Sequence, residues 1–121
     1  MKRCFAAFEK DKVSLIEAQL KSSPSSGNSS NPKALEIARA EAVVCLSISQ
    51  EAWKSLKFEL SNHNLEIREL KGDMILSPVI SGNLAISMKS MINYLPPEAK
   101  PLIALLEFAR EQGYFTVALW E

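Results

Sequence analysis

One histidine, two cysteines, four glycines and no net charge are all that this chain of 121 residues offers to several common chemistries. Each shortage excludes something. With His63 the only imidazole, every histidine-based mechanism must run through one position. Cys4 and Cys45 form no CxxC pair and no Cys/His metal spacing, and their paucity suits a reducing cytosol better than a disulfide-built domain. The 14 basic and 14 acidic residues are also evenly spread. Residues 1–21 carry five and three, residues 22–71 six and six, and residues 72–121 three and five. Proteins that live on polyanions draw most of their affinity from phosphate neutralisation, so nucleic acid is not the expected partner.

Long apolar runs are missing too. The most weakly charged stretch, Met74 to Pro97, is interrupted by Pro78, Gly82 and Lys89, which disqualifies it as a membrane span. The apolar residues after Arg3 meet Glu9, Lys10, Asp11 and Lys12 too soon for a secretory core. A cytoplasmic protein with no membrane association is expected.

What remains is ordinary globular material, 47% hydrophobic and 23% charged. A chain of this length buries roughly two-thirds of its unfolded surface and makes one domain, 1–121. Residues 23–31, rich in Ser, Pro, Gly and Asn, have almost nothing to bury and are predicted to form a flexible, dispensable loop.

Helical signals dominate the rest. Val13, Ile16 and Leu20 make a stripe that Asp11 could cap, and good helix formers upstream favour one helix over residues 3–22, with a strand at 3–8 as the alternative. Asn31 and Pro32 read as the cap and first residue of the next helix. Residues 42–48 fit a helix or a buried strand equally well. Residues 50–61 carry Trp53, Leu56 and Leu60 on one helical face. Leu65 to Leu70 alternates as a half-buried strand, and Met74-Ile75-Leu76 follows a turn as its partner. A helix is expected from Asn83, then the clearest one over 98–112, with Gly113 as its left-handed terminus. Tyr114 to Trp120 reads as a strand whose Phe115, Val117 and Leu119 face is buried against that last helix or its neighbours. The class is α+β: a helix-rich single domain with a small, mainly antiparallel sheet.

No constellation of reactive residues emerges. A Cys45–His63 dyad lacks an orienting third group; Asn62-His63-Asn64 fits a polar helix end, and Cys45 a small buried hydrophobe whose thiol the function does not need. Asp11 and Asp73 sit at capping or turn positions, and the twelve glutamates are dispersed. Glu107 and Glu111 have helical i, i+4 spacing, but Arg110 between them marks a solvated face. Gly82 precedes the helix predicted from Asn83 and fits a cap better than an anion site. Trp53 and Phe58 interleave with Lys54 and Lys57, yet on a helix they point about 140° apart and make no stacking platform. The Met88, Met91, Leu84 and Leu95 stripe fits core, although methionine faces recur at adaptable binding surfaces.

No catalytic, cofactor-binding or metal residue and no cofactor is therefore assigned. The expected function is a small protein-interaction module, an adaptor or an inhibitor or immunity-type protein, whose partner is another protein. Its candidate contact residues are Phe58, Met88 and Met91. The alternatives are a small enzyme or subunit using scattered glutamates and His63, and nucleic-acid binding through residues 53–58.

Overall fold

The computed structural model describes residues 2–22, 31–62 and 73–121. Its framework is a four-stranded antiparallel sheet built from β1 (Lys2–Phe8), β2 (Val44–Ser49), β3 (Met74–Leu76) and β4 (Phe115–Trp120), in the order β2-β1-β4-β3. Around it lie α1 (Lys10–Ser22), α2 (Pro32–Glu41), α3 (Gln50–Asn62), α4 (Pro78–Ser90) and α5 (Ala99–Gln112). The α+β class stands.

The first strand corrects the expectation of a helix over 3–22. Cys4 to Phe8 are all buried, alternate residues serving opposite faces of the sheet. A strand covered on both sides needs a continuous apolar run, and that requirement outweighs the helix propensity of its alanines. Cys4, Ala6 and Phe8 pack with Val117 and Leu119 beneath α1 and α2. Phe5, Ala7, Ala118 and Trp120 pack beneath α3, α4 and α5. The sheet is thus a middle layer. It follows that the Phe115, Val117 and Leu119 face meets α1 and α2, while α5 covers the opposite face of β4.

The helix ends are set by local chemistry. Asn31 accepts the Ala34 N–H at 3.1 Å through Oδ1, with Pro32 in the first turn. Asn31, at the end of the expected loop, is buried by this role; residues 23–30 lie outside the described set. Asp11 is not a cap: it lies inside the first turn of α1, where Lys12 and Val13 donate to the carbonyl of Glu9. Ser77 caps α4 by accepting the Ile80 N–H, and Pro78 opens the helix, so α4 begins five residues before the expected Asn83. Gly82 consequently lies within α4 and is not a cap. A Cβ there would come within 2.8 Å of Arg110 on α5, so its bare backbone lets that side chain cross the helix closely. Gly113 closes α5 at φ 73°, as its position after the helix predicts.

Within residues 42–48 the strand begins at Val44, while Ala42 caps the end of α2 and Val43 bridges the two elements. The expected strand 65–70 lies outside the described residues. Met74–Leu76 is a strand and pairs with β4. Two buried polar groups tie the layers together. The Ser81 hydroxyl lies 2.9 Å from the Ser77 carbonyl and 3.0 Å from Thr116 Oγ1. Its one proton goes to the carbonyl, leaving Thr116 as donor between the hydroxyls and α4 fastened to β4.

Arg3 is wholly buried between two indoles, 5.2 Å from the Trp53 ring and 4.8 Å from Trp120. Burial pulls its pKa from 12.5 down to about 10, against the opposing charge of Asp73. The guanidinium remains charged near neutrality, held by the aromatic faces and the carboxylate.

Candidate functional site

β2 forms one border of the sheet, and its exposure follows from that place. Only β1 pairs with it among the described residues. From Ala42 to Gln50 the sequence holds no charged residue and no proline. The register with β1 runs unbroken from Lys2 opposite Ser49 to Ala7 opposite Val44, so no bulge bends the edge away. Val43 and Val44 are 44% and 39% exposed, and Cys45 and Ser47 are also exposed. Sheet borders usually carry Lys, Pro or a bulge that discourages pairing with another strand; β2 has none of these.

Polar contacts fix both ends of this border. Ser49 donates its N–H to Glu98 Oε2 at 2.7 Å and its hydroxyl to Oε1 at 2.8 Å, while its Oγ accepts the Ala52 N–H. Those two donors hold the Glu98 carboxyl below the ordinary carboxylate range, the backbone bond contributing most and nearby Lys2 adding to it. Glu98 so anchors the turn from β2 into α3 onto the start of α5. On the face toward α2, the Ser47 hydroxyl donates to Glu121 Oε1, which also receives Arg39 Nη2 at 3.5 Å.

Beside this pair stand the two thiols. Cys4 lies opposite Ser47 and Cys45 opposite Ala6, which makes the cysteines diagonal neighbours on one face. Their sulfurs are 3.3 Å apart, both reduced, with Cys4 buried and Cys45 exposed. The expectation that Cys45 is a buried hydrophobe is corrected by its position on a border strand. The hydrogen bond from Cys4 lowers the Cys45 pKa to about 7, assisted by Arg39 and opposed by burial and Glu121. Cys4 is driven upward by its bond to Cys45 and by burial. Deprotonation is thus favoured at Cys45 and opposed at Cys4.

Of the expected contact residues, Phe58 is 64% exposed on α3. Met88 and Met91 are buried in the core beneath α4 and offer a partner no surface. Trp53 is likewise buried against Phe5 and Arg3, which leaves Phe58 as the exposed ring of the 53–58 segment. His63 lies outside the described residues, so the Cys45–His63 pairing has no described geometry. Glu107 pairs with Lys89 at 2.8 Å on a solvated face. Among the described residues no three His, Cys, Asp or Glu side chains converge as metal ligands would, and no helix is long and apolar enough to cross a membrane.

Two other surface features stand apart from β2. Val79, Ile80 and Ile86 project from α4 at 56%, 51% and 68% exposure. An open groove between α1 and α2, edged by Lys33, Glu36 and Glu41, mixes charges of both signs. The chain matches no family model, and no curated protein or solved structure is recognisably similar to it.

Proposed function

We propose that this protein is an interaction module that takes an extended segment of a partner protein onto the β2 border, acting as an adaptor or an inhibitor. One observation carries this reading: a six-residue border strand without charge, proline or bulge, exposed on its outer side. Strand addition draws affinity from backbone hydrogen bonds and specificity from alternate side chains. β2 supplies both, with Cys45 and Ser47 on one face and the half-buried Leu46 on the other. The anchoring of Ser49 by Glu98 supports it further, because a strand held at its end before binding loses less freedom on binding.

The test places a charge on the border. Proteins retained by the tagged wild type are purified and their binding remeasured with Val44→Lys and, as a control on α4, Ile86→Lys. Both positions are exposed, so each variant is expected to keep its stability within about 0.5 kcal/mol. Loss of binding in Val44→Lys with retention in Ile86→Lys supports docking at β2. Binding that survives Val44→Lys, or fails only in Ile86→Lys, moves the interface off the strand. Phe58→Ala, measured alongside, reports whether α3 shares the footprint.

A further inference from the structure

We propose that Cys4 and Cys45 form a dithiol–disulfide couple that exchanges with small-molecule disulfides, with Cys45 as the attacking sulfur and Cys4 as the resolving one. Nothing in this depends on what pairs with β2. The two side chains leave neighbouring strands on one face, and their sulfurs already touch at 3.3 Å. Bond formation must close the sulfurs to about 2.05 Å, by side-chain rotation together with a small approach of β1 and β2, since diagonal neighbours lie near the far limit for a disulfide. Their exposures divide the labour. A reagent reaches Cys45 on the border strand, whereas Cys4 is sealed beneath α1 and α2 and meets only its neighbour.

The electrostatics suit the same order of events. Cys45 is held toward thiolate by the Cys4 thiol and by Arg39, with the Glu121 carboxylate acting against them. Arg39 is in turn paired with Glu121 at 3.5 Å. In the first step the Cys45 thiolate attacks one sulfur of a disulfide R–S–S–R. The R–S–S–R bond breaks, Cys45–S–S–R forms, and R–S⁻ departs. In the second step the Cys4 sulfur attacks Cys45, its proton passing to the departing R–S⁻ of the mixed disulfide. A Cys4–Cys45 bond replaces the Cys45–S–R bond. Two protein thiols are oxidised and one small disulfide is reduced to two thiols, one of them formed when the first R–S⁻ takes a proton from water.

Glutathione is the probe. Native protein is equilibrated across graded ratios of oxidised to reduced glutathione, quenched in acid, alkylated and weighed intact. The wild type should lose two hydrogens and carry no glutathione at the oxidising end. Cys4→Ala should retain one glutathione on Cys45, because the resolving sulfur is gone. Cys45→Ala, altered at an exposed site, should take none at Cys4. The initial alkylation rate of Cys45 near pH 7 should also be about fivefold higher in the wild type than in Cys4→Ala. That figure is the gain in thiolate at a pKa of about 7 less the lower nucleophilicity of a weaker base. The couple is overturned if the wild type keeps both thiols free, if it accumulates glutathione on Cys45 without resolution, or if Cys4 reacts first. The wild-type masses decide the matter even where the Cys4 variant is too unstable to use.

Discussion

At the scale of residues, the interior of this protein holds more polarity than its apolar composition suggests, and that polarity sits where strands meet. Arg3 between two indoles and the thiol pair at the border both act through neighbours that lie far away in the chain. The thiols make stability depend on pH in a defined direction. In the unfolded chain both titrate near the ordinary value of 9.0. In the folded pair the first proton leaves at about 7, and the second stays on Cys4 well above 9.0. Between about pH 7 and pH 9 the unfolded chain therefore binds more protons, and stability rises with pH. Above about 9 it sheds both while the folded protein keeps one, and stability falls. The reduced protein should show its highest urea midpoint near pH 9. In Cys45→Ala the rise between about 7 and 9 should vanish. A midpoint unchanged across this range in the wild type would show that the sulfurs do not share a proton when folded.

At the scale of elements, Gly113 isolates a single physical term. It terminates α5 in the left-handed region at φ 73°, and a Cβ there would meet nothing within 4 Å. Gly113→Ala should therefore cost about 1 kcal/mol by urea denaturation, all of it backbone strain and none of it packing. A larger loss would mean that the turn into β4 shifts. This terminus was legible in the sequence because its signal is local. So was Asn31-Pro32, and the same logic applied to Ser77-Pro78 would have started α4 correctly. β1 was not legible as a strand: buried on both faces, Cys4 to Phe8 lose the alternation that distinguishes strand from helix. The thiol pair left no trace either, since its members are 41 residues apart and meet only through sheet register. Nor could β2 be known as a border until the order of strands was known. The methionine stripe read both as core and as a candidate contact surface, and the burial of Met88 and Met91 leaves only the first.

At the scale of the whole molecule, β4 joins the sheet together, linking the β1–β2 pair to β3. It lies between β1 and β3, and Thr116 to Trp120 are buried. Burial of Val117 and Leu119, with Phe115 half-buried beside them, is worth on the order of 4–7 kcal/mol, comparable with the net stability of a domain this size. Deleting residues 114–121 should leave a chain without a cooperative thermal transition by circular dichroism. A truncated protein that melts cooperatively would show that the two helical layers hold together without this strand.

The pairing of β1 with β4 also governs how the protein is born. The first and last strands of the sheet are partners, and the Glu121 N–H reaches the Lys2 carbonyl at 2.9 Å. A ribosome making roughly 5–20 residues per second delivers β4 on the order of ten seconds after β1. Throughout that interval the apolar run from Cys4 to Phe8 has no β4 to cover it. Folding of the sheet centre must wait until β4 has been made, and the nascent chain is a natural client for chaperones that shield short apolar segments.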